Sequence, residues 1–96
     1  MADFELLKVQ SASQLHENLE KLLKNKKYIE SIVVDTYSEE IRVDLSKMAN
    51  TFGNPDFRLK LRQGKGAEAK MLIDALKRAE RPTLTQSEEL FQMLEH

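Results

Sequence analysis

The chain has 96 residues, 41% of them hydrophobic and 32% charged, with a net charge of −1 and no cysteine. This is a single-domain length with enough apolar content for one modest core, which argues against a disordered chain and against a global basic field for polyanions. Lack of cysteine excludes disulfides, thiol chemistry and cysteine metal sites and suits the cytoplasm; no apolar run nears the ~20 residues of a membrane helix.

Residues 4–9, FELLKV, read as a strand with Phe4, Leu6 and Val9 toward the core, with a helical turn as the alternative because the Leu6–Leu7 pair blurs the alternation. Ser11 and Gln14 have capping-box spacing, and Leu15, Leu19, Leu22 and Leu23 form one apolar stripe, so a helix is expected over 12–26. Residues 28–37, YIESIVVDTY, form an expected strand, followed by the polar turn Ser38-Glu39-Glu40. Ile41, Val43 and Leu45 alternate with Arg42 and Asp44, which predicts a second strand and an antiparallel hairpin.

Residues 46–56 read as a long connection carrying Met48 and Phe52 and ending in the turn cluster Gly53-Asn54-Pro55-Asp56. FRLKLR, residues 57–62, is the next strand, with Phe57, Leu59 and Leu61 inward. From Ala67 a helix is expected, with Met71, Leu72, Ala75, Leu76 and Ala79 on one side and Pro82 ending it. Thr85 and Glu88 have capping-box spacing before a last helix with Leu90 and Phe91. The expected fold is a two-layer α+β domain of β-α-β-β-β-α order, an antiparallel meander covered on one face by helices, plus a short C-terminal helix. The first helix joins parallel strands by a right-handed crossover. Residues 1–82 are expected to form the domain, 83–93 a C-terminal helical segment and 94–96 a tag remnant.

On the face opposite the core, Arg58, Lys60 and Arg62 share one side, beside Arg42, Asp44 and Glu40, with Asp35 one strand further. Opposite-charge neighbours there make a cross-strand ladder. Residues 57–70 hold five cations against Glu68, a local +4. Gly64 and Gly66 flank Lys65 directly before a helix, where backbone N–H groups and the dipole can receive an anion. A nucleic-acid or anion site is therefore one reading, built from Arg58, Lys60, Arg62, Lys65, Gly64 and Gly66.

The α-β-β-β-α order over residues 4–80, with its Gly-x-Gly turn before the last helix, resembles the double-stranded-RNA-binding architecture. Small ribosome-binding hibernation factors have a similar arrangement with an added first strand. The resemblance lies in element order. Of the lysines the RNA-binding family places at the start of its last helix, only Lys70 is present, after Ala69. The first hairpin loop carries Glu39 and Glu40, which repel phosphate. As an analogy of fold it does not transfer function.

Assembled catalytic chemistry is not legible. His16 is the one usable imidazole and reads as a surface residue. Asp35, Asp44 and Glu40 form a conceivable cation site, with ion pairing to the neighbouring Arg and Lys as the default. The expectation is a protein that is not an enzyme and has no cofactor and no metal. Its function is expected to be that of a small non-catalytic interaction or regulatory module. Its protein contacts would come from Phe52, Leu84, Leu90 and Phe91, toward a partner protein or a second copy and away from membranes. The C-terminal apolar cluster either folds back over the core or docks on another chain as a helix in a groove.

Overall fold

A computed structural model describes residues 4–95; residues 1–3 and His96 lie outside the described residues. The elements are β1 (Phe4–Leu6), α1 (Ala12–Lys24), a short 3-10 turn (Lys26–Tyr28), β2 (Ile29–Asp35), β3 (Glu40–Leu45), α2 (Lys47–Thr51), β4 (Asp56–Lys60), α3 (Gly66–Arg78) and α4 (Leu84–Met93). The fold is the expected two-layer α+β domain, with a four-stranded sheet in the order β1-β4-β3-β2. β2, β3 and β4 form the antiparallel meander, and β1 adds to β4 in parallel, Phe4 beside Asp56 and Leu6 beside Arg58. β1 and β2 thus run the same way at opposite edges, and the α1 connection spans the width of the sheet.

Ser11 caps α1 by accepting the Gln14 N–H, and Leu15, Leu19 and Leu23 are buried along it. They meet Ile41 and Val43 of β3, Leu59 and Leu61 of the β4 arm, and Ala69, Leu72, Ile73 and Leu76 of α3. The buried face of α3 differs from the expected one. Ala69, Leu72, Ile73 and Leu76 have the i, i+3, i+4, i+7 spacing of a single face, and Met71 falls on the other side, 75% exposed.

Val9 packs against the core as expected, but the polarity of β1 is reversed: Phe4 and Leu6 lie exposed, sharing a side with Asp56 and Arg58, and Leu7 packs against the core instead. The adjacent Leu6–Leu7 pair supplies an apolar residue to either side, so alternation alone does not choose between them.

The C-terminal segment belongs to the core. Leu90 is fully buried in α4, which lies across α1 and touches α3. Its cap is Thr83 with Gln86, not Thr85 with Glu88: Thr83 Oγ1 accepts the Gln86 N–H at 3.1 Å and Gln86 Oε1 accepts the Thr83 N–H at 2.9 Å. This earlier start brings Ser87 into the second turn, where it is completely buried. Beyond α4, Leu94 and Glu95, set apart from the domain in the sequence reading, pair with β4. The Arg62 N–H donates to Met93 O at 2.8 Å and the Glu95 N–H to Lys60 O at 3.0 Å, with Leu94 3% exposed. The chain end thus continues the sheet edge where β1 stops.

Candidate interaction site

The stretch from Phe57 to Lys70 runs from β4 into α3, and its cations are mostly held by the protein itself. Arg58 and Arg42 face each other across β4 and β3. Arg58 is drawn to Asp44 at 3.3 Å, and Arg42 to Asp35 at 2.9 Å and Glu40 at 3.1 Å. Two guanidinium groups thus lie among three carboxylates, and Asp35 and Glu40 converge on Arg42 rather than on a shared cation site. Lys60 donates to Ser38 O at 3.1 Å, Arg62 Nε to Leu94 O at 3.0 Å, and Lys65 meets Glu68 at 3.4 Å.

The glycine turn has an anion of its own. Gly64 takes φ +81°, a left-handed conformation that glycine adopts without steric cost, and its N–H donates to Glu39 Oε1 at 3.2 Å. Glu39 sits at the tip of the β2–β3 hairpin, itself at φ 55°. Its carboxylate occupies one side of the turn where an outside anion would approach. Gly66 serves packing: a Cβ there would lie 3.2 Å from Thr36 Cγ2 and 3.3 Å from Thr36 Cα.

At that hairpin the Asp35 carboxylate accepts N–H bonds from Ser38 at 3.1 Å and Tyr37 at 2.9 Å. The Ser38 N–H is the main reason its carboxyl lies below the ordinary aspartate value, with Tyr37 and Arg42 adding to the effect. A lowered pKa means that this group's stabilisation is complete above the unfolded value of about 3.9 and is lost as pH falls through the lower folded value. The Tyr37 and Ser38 amide shifts are expected to titrate together with a midpoint below about 3.9, and Asp35→Asn is expected to remove that titration. Amide shifts followed down an acid series check this; a midpoint at or above the unfolded value contradicts it.

His16 joins α1 to α4. Its Nδ1 lies 2.7 Å from Ser87 Oγ and its Nε2 3.0 Å from Glu20 Oε1. The order hydroxyl, imidazole, carboxylate is that of a nucleophile relay, but the Ser87 side chain is wholly enclosed and lies within 3.2 Å of Thr83 O. In this position the trio bolts two helices together. Ser87 carried no sequence signal, because its burial depends on where α4 starts.

A groove with a largely apolar floor opens beside α2. It encloses about 530 Å³ between α1, β1 and the connection from β3 to β4, with Leu7, Leu22, Leu45 and Phe57 in its floor and Phe52 at its rim. Asn18, Asn25 and Asn54 supply amides around it. The sequence placed Phe52 in a long loop; the loop contains α2, capped by Ser46, whose hydroxyl accepts the Ala49 N–H. Ala49 is buried, the Phe52 N–H donates to Met48 O and Ala49 O, and the Leu45 N–H donates to Asp56 Oδ1 at 2.7 Å. Phe52 is therefore 74% exposed on an anchored backbone. The other expected contact residues divide: Leu84 is 53% exposed at the start of α4, Leu90 is buried, and Phe91 packs against the core from a half-buried position. Leu90 is consequently not available as a surface contact.

No described helix is long and apolar enough to cross a membrane. Compared with models of protein families, with curated proteins and with solved structures, the chain matches none of them.

Proposed function

We propose that the protein is a small non-catalytic interaction module that receives an apolar segment of a partner protein in the groove beside α2. The observation that carries this reading is Phe52, exposed at the rim of an apolar-floored groove on a loop fixed by hydrogen bonds. Burying an aromatic ring on a pre-organised backbone contributes affinity without the entropy cost of ordering a loop. Asn25 and Asn54 each donate one amide N–H to the backbone, at Lys21 O and Ala49 O, which leaves their carbonyl oxygens and the Asn18 amide to meet a bound main chain. The alternative, anion binding through Arg58, Lys60, Arg62, Lys65 and the Gly64–Gly66 turn, has less support, because Glu39, Asp44, Glu68 and backbone carbonyls already engage those groups.

Peptides selected from a random display library against the full chain test the reading. Binders are expected to share an apolar anchor and to shift the amides of Leu22, Phe52, Asn54 and Phe57. Phe52→Asp is expected to weaken them by about tenfold or more, as for an interface hot spot, with an unchanged melting temperature. Peptides that bind the variant equally well, or that shift only the open sheet face, contradict it.

A further inference from the structure

We infer that the end of the molecule formed by the C-termini of α1 and α3 is a second contact surface, which binds nucleic-acid backbone phosphates. On the α1 side it presents Lys21, Lys24, Lys26 and Lys27, and on the α3 side Lys77, Arg78 and Arg81, all exposed. These two segments, far apart in the chain, are joined by Lys26, whose Nζ donates to Ala79 O at 2.7 Å and reaches Lys77 O at 3.4 Å. Lys21, Lys24 and Arg81 line one surface depression of about 460 Å³, and Lys26 and Lys77 another of about 200 Å³.

Two observations separate this end from the basic strand. First, none of its seven cations has an ion-pair partner within 4.0 Å among the described residues, whereas Arg58 and Lys65 of the strand and turn are ion-paired and Lys60 and Arg62 are held by carbonyls; here only Lys26 and Lys77 are so held, and Lys27 lies over the Tyr28 ring at 5.2 Å. Second, a single lysine, Lys26, reaches the terminal carbonyls of α3, while Lys77 donates to Ile32 O at the sheet edge. Lys24, Arg78 and Arg81 are left to face solvent. Glu17, Glu20, Glu30 and Glu80 line the same depressions, Glu20 engaged by His16 at 3.0 Å, and Asp74 stands one turn before Lys77 and Arg78 on α3. Cations exceed these carboxylates seven to five on a chain whose net charge is −1.

The chemistry of this surface favours a repeating polyanion. Five of the seven cations are lysines and two are arginines, the side chains that contact backbone phosphates without reading base sequence. An anionic lipid surface attracts such a patch by charge too, but stable anchoring adds inserted apolar area, and among the described residues Leu84 is the one exposed large apolar side chain close in sequence to these cations. Binding is therefore expected to be sequence-independent and steeply dependent on salt, falling roughly 10²–10³-fold between 50 and 200 mM for four or five phosphate contacts.

The test uses fluorescence anisotropy of the full chain with labelled single-stranded and duplex RNA and DNA of mixed sequence. Parallel arms contain phosphatidylserine vesicles and a poly-glutamate peptide, and amide shifts are mapped with the tightest nucleic acid. Shifts confined to residues 21–30 and 77–81, and a loss of about tenfold or more in the triple variant Lys24→Glu, Arg78→Glu, Arg81→Glu, are the expected results. Lys60→Gln with Lys65→Gln is expected to leave affinity within about twofold. No binding at low salt, shifts centred on residues 57–66, or equal affinity for vesicles or poly-glutamate would overturn the inference. The shift map on the unaltered chain decides the matter even if the triple variant does not fold.

Discussion

A chain ending at Arg81 is expected to lose its cooperative fold. Truncation there removes Leu90 and Leu94, which are 0% and 3% exposed, together with the partly buried Phe91 and Met93. Burial of the two leucines alone is worth about 3–6 kcal/mol, from about 1.5–3 kcal/mol for each side chain. Natural domains have roughly 5–15 kcal/mol of total stability, and a chain of this length belongs toward the lower end. The cut also uncovers apolar surface on α1, strips His16 of its Ser87 partner and frees the β4 edge held by Arg62 and Glu95. Near-ultraviolet circular dichroism and amide dispersion read the outcome directly. A truncated chain with native spectra and an unchanged melting temperature would mean that α4 adds nothing to this core.

The second large effect is expected at Leu90. Leu90→Ala should destabilise the protein by about 2–5 kcal/mol, the range for removing a buried leucine and leaving a cavity. Phe52→Ala serves as the contrast: its ring is mostly in water, so its stability cost is expected to stay within about 0.5 kcal/mol. Denaturant unfolding of the two variants beside the parent measures both, with equal slopes showing that the transition remains two-state. If Phe52→Ala proved as costly as Leu90→Ala, the ring would be a core residue, and the groove would lose its rim.

These two residues illustrate the division between what is local and what is not. Both read alike in the sequence, as apolar residues outside the regular pattern of the sheet domain. Phe52 ends a short helix on the surface, and Leu90 lies on the inward face of α4, three residues after Ser87. Which way each turned depended on where α2 and α4 begin. Two overlapping caps, Thr83 with Gln86 and Thr85 with Glu88, satisfy the same local rule. The earlier cap is the one that sets Ser87 against His16 of α1, 2.7 Å away and far distant in the chain.

The class of the fold, the antiparallel meander, the capped first helix and the stop after α3 were legible in the order of residues, because alternation, caps and proline act over a few neighbouring positions. That order also anticipated that Arg58 would find carboxylates on the open face, since strand parity places charges on one side. Long-range packing is what joins β1 to β4 with Phe4 and Leu6 outward, closes the sheet edge with Leu94 and brings Glu39 to the glycine turn. It also brings Lys26 to the end of α3. Each of these depends on which surfaces meet once apolar area is withdrawn from water, a property of the assembled chain that no short window of residues contains.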